Sequence, residues 1–140
     1  MRRSAVPILA AALALPLAAA ERQPSPPDVK VYIVWPRDGQ VIKGGKSWLR
    51  MGASNVGIAP AGVEKANTGH FHVIVDADPP PGQPIPNNKN YLHFGGGQTE
   101  TTLDLRPGRH TLQLLLGDAG HVPFDPPVMS RRITITVAQP

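Results

Sequence analysis

From Val29 onward the apolar residues fall in short runs, many with a period of two, and clusters of Gly, Pro, Asn and Asp close each run. In His110–Asp118 the residues Leu112, Leu114 and Leu116 share one face, and in Arg131–Ala138 the residues Ile133, Ile135 and Val137 do the same. Similar runs predict strands at Val29–Trp35, Gly39–Ile42, Ser47–Ala53, His70–Asp76, Tyr91–Phe94 and Gln98–Leu105, which makes seven or eight strands in all. No stretch carries a helical period. In Arg106-Pro107-Gly108-Arg109 the Pro at the second position and the Gly at the third predict a tight turn that makes its two strands neighbours. The pattern as a whole predicts an all-β fold, an antiparallel two-sheet immunoglobulin-like sandwich. The chain has no Cys, so the Cys–Trp–Cys signature of an antibody domain is absent.

The first twenty residues follow a different rule. Arg2 and Arg3 precede an apolar stretch from Ala5 to Ala19 broken by Pro7 and Pro16, and Ala18-Ala19-Ala20 supplies small residues before Glu21. This is the layout of a cleaved secretory signal, and an apolar run this short and twice interrupted falls below the roughly 20 residues of a spanning helix. The expectation is a periplasmic or secreted protein with no membrane anchor after cleavage. Residues 21–28, with three prolines in eight, read as a flexible lead-in, and residues 29–140 as a single domain. After position 20 the chain holds 15 Pro and 14 Gly, 29 of 120 residues, but they sit between the apolar runs and so mark turns. Of the 14 Lys and Arg, 12 remain against 10 Asp and Glu, a balance of +2 with no basic stripe, so a nucleic-acid surface has no support.

Chemistry concentrates in the histidines. Four of the five lie in Thr68-Gly-His70-Phe-His72, Leu92-His93-Phe-Gly-Gly-Gly97 and Gly117-Asp-Ala-Gly-His121. The strand period puts His70 and His72 on one face, with Cα atoms about 7 Å apart. If His70–Asp76 pairs antiparallel with His110–Asp118, then His70, His72, His93 and His121 share one pole, together with Asp118 and Asp125. His110 then lies at the opposite pole, beside the Pro107-Gly108 turn. Imidazoles with a carboxylate suit Cu(II) or Zn(II), and also iron or nickel, whereas an oxygen-rich calcium cage needs more acidic groups than Asp118 and Asp125. The candidate metal ligands are therefore His70, His72, His93 and His121, with Asp118 and Asp125 as supporting groups that orient an imidazole. The plainer alternative is a set of polar loop residues bonding backbone carbonyls.

Enzymatic readings find little to stand on. Ser47, Ser54 and Ser130 lack the G-x-S-x-G elbow, there is no Cys nucleophile, and Gly95-Gly-Gly97 is not followed by the Lys of a phosphate loop. Of seven aromatic residues, Tyr32, Trp35, Trp48, Phe71, Tyr91, Phe94 and Phe124, most fall where a small sandwich needs core, which argues against a sugar-binding platform. Tyr91 and Phe124 stand beside histidine segments, so a metal-free pocket of Phe71, Tyr91, Phe94 and Phe124 for a small ligand or protein is the rival reading.

From about Gly57 to Val137 the chain resembles the bacterial family catalogued as domain of unknown function 4399. The residues that carry the resemblance are Ile58-Ala-Pro-Ala-Gly62, Gly69-His-Phe-His72 leading to Asp76, Pro84-Ile-Pro86, Leu92-His-Phe-Gly-Gly-Gly-Gln-Thr-Glu100, Pro107-Gly-Arg-His-Thr-Leu-Gln-Leu114, Gly117-Asp118, His121-Val-Pro123 and Asp125-Pro-Pro-Val128. The resemblance implies a small exported domain and names no activity.

Overall fold

The computed structural model describes residues 20–44 and 46–139, so the stretch read as a leader lies outside the described residues apart from Ala20. The strands are β1 (Lys30–Trp35), β2 (Val41–Ile42), β3 (Lys46–Ser54), β4 (Gly57–Ile58), β5 (Thr68–Val75), β6 (Tyr91–His93), β7 (Glu100–Asp104), β8 (Gly108–Gly117) and β9 (Ile133–Val137). There is no helix among the described residues. The strands form a three-stranded sheet, β1-β3-β7, and a six-stranded one, β2-β9-β8-β5-β4, in which β6 also pairs with β5. This is the predicted all-β sandwich, with nine strands among the described residues instead of seven or eight.

Alternation builds the core. Val31, Leu49, Met51 and Leu103 point inward from the small sheet and meet Phe71, Val73, Leu112, Leu114, Leu116 and Ile135 from the large one. Burying side chains of this size stabilises by about 1.5–3 kcal/mol each, enough for a domain without disulfides. The centre of the large sheet is β5, hydrogen-bonded to β8 on one edge and to β4 and β6 on the other. All eight of its residues are buried, so β5 is covered on both faces. Its core face carries Phe71, Val73 and Val75. Its opposite face carries His70, His72 and Ile74, with Ile74 joining Ile85 and Leu115 in a second, smaller apolar cluster outside the sandwich.

Three expectations are corrected. Residues 106–109 do not join sheet neighbours: β7 pairs with β3, whereas β8 pairs with β5 and β9, so the turn passes the chain from one sheet to the other. Pro and Gly fix where a chain reverses, but not which strand edge it meets next. The pairing is not wholly antiparallel either, because β2 with β9 and β4 with β5 run parallel over two residues each. Strand β4 is too short to show a period in the sequence. Finally, Tyr32, Trp35 and Trp48 are exposed and not core. In Tyr32-Ile-Val-Trp35 every position is apolar, so the sequence marks no inner face.

Residues 22–25 belong to neither sheet, as the prolines suggest, but they are tied to the segment that follows β8. Ser25 donates its N–H to the Asp125 carbonyl and Asp125 donates to that of Gln23, at 3.0 and 2.8 Å. Arg22 donates to the carbonyls of Pro123, at 3.0 Å, and Phe124.

The difference between inner and outer rings is measurable. Phe71→Ala should destabilise the protein by about 3–5 kcal/mol in urea unfolding, the range for emptying a buried aromatic site. Trp48→Ala should stay within about 0.5 kcal/mol of wild type, as surface substitutions do.

Candidate metal centre

Two strands and one loop bring four rings to a single point. His70 and His72 project from the non-core face of β5. His93 is the register partner of His72 across the β5–β6 ladder, so its side chain stands beside that of His72 on the same face. His121 arrives from the loop after β8, whose last residue, Gly117, pairs with His70. The ring centroids lie between 4.6 Å (His93 to His121) and 5.8 Å (His72 to His121). One nitrogen from each ring can be chosen so that all four lie within 4.8 Å of one another. His110 is apart from them, as expected, bonded to Asp76 at 2.7 Å and to the Arg106 carbonyl at 2.8 Å.

Room for the rings comes from glycine. A β-carbon on Gly117 would stand 2.9 Å from Cε1 of His72, and one on Gly95 would collide with the ring of His93. Loop closure comes from Asp118. Its Oδ1 accepts the N–H groups of Gly120 and Val122, both at 2.9 Å, while its carbonyl accepts that of His121 at 3.0 Å. The loop so tied holds His121 at a φ of +63°, a left-handed conformation uncommon outside glycine. The His121 carbonyl in turn accepts the N–H of Ile85 at 2.8 Å.

Asp118 thus orients an imidazole through the backbone of its loop, not by touching a ring. Asp125 is exposed, and its backbone binds Gln23 and Ser25. The expected aromatic pocket does not assemble. Phe71 and Phe124 are sealed in the main core and Phe94 packs against it, while Tyr91 packs with Ile74, Ile85 and Leu115 and donates its hydroxyl to the Asp78 carbonyl. Phe71 alternates with the two histidines and so faces away from them. Sequence reasoning misses Gly95, Gly117 and Ile85 as site residues; the glycines adjoining two histidine segments are the available signal.

Burial and mutual repulsion disfavour charge on three of the four rings. Burial, then repulsion from His121 and His93, lowers the His70 pKa to about 4, against a smaller upward pull from Asp118. Burial, then the neighbouring rings, lowers that of His72 to about 3, opposed by its interaction with the His70 backbone carbonyl. His93 is lowered too, by burial and by His121. A neutral imidazole offers one lone pair and one N–H. His70 Nε2 and His121 Nδ1 lie 3.1 Å apart and share one hydrogen bond. Nδ1 of His70, Nδ1 of His72 and Nε2 of His93 are buried with no partner. Each unmet group of this kind costs about 1–3 kcal/mol. Four converging imidazoles, three of them with an unmet ring nitrogen, form a donor set that could hold a metal ion.

With this geometry in view, the profile of a family described as Domain of unknown function (DUF4399) matches residues 49–138, more than half of the chain. The chain belongs to this family. The DUF4399 segment contains all four histidines, Asp118, Gly95 and Gly117, but neither β1 nor the residues 22–25 that bind the His121 loop. No curated protein and no solved structure matches the chain.

The lowered pKa values set a sign for stability against pH. Histidines of the unfolded chain titrate near 6.5, above the folded values, so the unfolded state takes up protons first as pH falls. The metal-free protein should therefore lose stability from about pH 6.5 down toward pH 4, by up to about 1.4 kcal/mol per pH unit for each of His70 and His72. His110 acts oppositely. Burial disfavours its charge, but the Asp76 hydrogen bond, the Arg106 carbonyl and the charge of Asp76 outweigh burial and raise its pKa. Its contribution is full below pH 6.5 and is lost as pH rises through the raised value. Urea unfolding in chelator at pH 7, 6 and 5 should show a flatter profile for His72→Leu and a steeper acid loss for His110→Ala.

Proposed function

We propose that this protein is an exported, non-enzymatic carrier or holder of Cu(II) or Zn(II), bound by His70, His72, His93 and His121. The observation that carries the reading is the set of three buried ring nitrogens without partners, on histidines whose nitrogens already lie within 4.8 Å of one another. Metal bonds of 2.0–2.1 Å in a tetrahedral site put ligand nitrogens about 3.3 Å apart, so binding asks for a modest contraction of side chains. Burial and mutual repulsion favour the neutral, ligating form, since the same surroundings that disfavour a proton leave the lone pairs free. With four protein ligands a tetrahedral ion has no open position for substrate, which supports holding over catalysis. Export rests on the basic start, apolar stretch and small residues of positions 1–20, and implies a periplasmic or secreted location.

Titration calorimetry of purified protein with Zn(II) and with Cu(II) tests the reading. One ion should bind per chain. His72→Ala should weaken binding by roughly a hundredfold or more, whereas His110→Ala should leave it unchanged. Gly95→Ala should also weaken it, because the added methyl displaces the His93 ring without removing a ligand. Binding no tighter than that of free histidine, or equal effects of His72→Ala and His110→Ala, would overturn it.

A further inference from the structure

The outer face of the small sheet, on the side of the sandwich away from the histidines, carries an unusual set of residues. Trp48, Val34, Tyr32 and Trp35 are 55, 51, 47 and 38 % exposed. Strands β1 and β3 alternate regularly except for a register shift between Ile33 and Trp35, and this irregularity brings Val34 and Trp35, consecutive residues, both to the surface. Trp35 pairs with Arg50, two residues from Trp48, so the two indoles are diagonal neighbours about 7–8 Å apart at Cα. They flank a cleft of about 480 Å³ lined also by Val34, Arg37 and Arg50. At the other end Tyr32 sits opposite Gly52, and a β-carbon there would run into its ring; the ring lies on bare backbone and turns its free face to solvent.

Charge on this face is uneven. Lys30, Lys46 and Arg50 are exposed on its strands and Arg37 lies beside the cleft, against the carboxylates of Glu100 and Asp104. Arg50 pairs with Glu100 at 3.2 Å, and Lys46 is in register with Asp104. Lys30 and Arg37 pair with neither of these carboxylates; Asp38, beside Arg37, accepts the Thr134 N–H, and Arg37 is at the tryptophans.

We propose that this face binds an acidic saccharide, a chain of pyranose rings bearing carboxylates. The C–H face of a pyranose is apolar and flat and stacks on an aromatic ring lying open to solvent, while its hydroxyls and carboxylate reach the guanidiniums at the rim. A protein partner would bring a broad apolar surface and insert side chains; here the rings lie along a shallow, polar-edged cleft. Tyr32, Trp35, Arg37 and Trp48 all fall outside the segment matched by the family. The site is independent of the metal reading.

Both tryptophans of the chain line the cleft, so indole fluorescence reports on it alone. Purified protein titrated with oligogalacturonate should show a saturable fluorescence change, and a neutral dextran oligomer of similar length should not. Trp48→Ala should weaken binding by about tenfold or more, measured by affinity electrophoresis in polygalacturonate gel. Arg37→Gln should reduce binding while keeping an unchanged melting temperature, and both variants should bind metal as wild type does. No response to oligogalacturonate, equal response to dextran, or full binding by Trp48→Ala would overturn the proposal. Self-association abolished by Trp48→Ala, seen in sedimentation, would overturn it in favour of a second copy as occupant.

Discussion

Strand β5 is buried on both faces, and on one of them it presents imidazoles where a sandwich of this size would ordinarily turn a polar face to water. That single constraint shapes the rest of the molecule. A sheet face bearing two buried polar rings needs a cover, and the cover must leave space for the rings and supply or exclude their partners. Two glycines provide the space, β6 and the 118–122 loop add the remaining rings, and Ile74, Ile85 and Leu115 make the apolar floor beside them. The sandwich core on the opposite face is conventional and fixes the strand from behind.

Disfavouring charge on His70, His72 and His93 is the common result of these parts. Burial is the leading influence on His70, His72 and His93, and repulsion among the rings adds to it. The nearest carboxylate, Asp118, is engaged by backbone N–H groups of its own loop and not by a ring. An ion at this point would meet imidazole nitrogens and no carboxylate, a situation that suits strong Lewis acids with affinity for nitrogen more than hard, oxygen-seeking cations.

Much of this is legible in the chain. The period of two in β8 and β9 marks the strands, and His-x-His within a strand by itself places two rings on one face. The antiparallel pairing of β5 with β8 follows from a reversal of direction, and it brings His121 to His70. What the sequence withholds is layer. Both faces of β5 are buried, so alternation does not say whether His70 or Phe71 looks into the sandwich, and the expected aromatic pocket falls on the wrong side. The exposed face of β1 is hidden for a related reason: four consecutive apolar residues carry no phase, and a local slip in register cannot be read from composition.

The docking of residues 22–25 onto residues 123–126 has a kinetic side. Partners separated by about a hundred positions can meet only after nearly the whole chain exists, and closing so long a loop is entropically unfavourable until the sheets have brought its ends together. The sandwich can therefore assemble first, with the His121 loop secured afterwards by the earliest described residues of the same chain. Docking in that order makes the segment just after His121 the last part of the fold to be fastened.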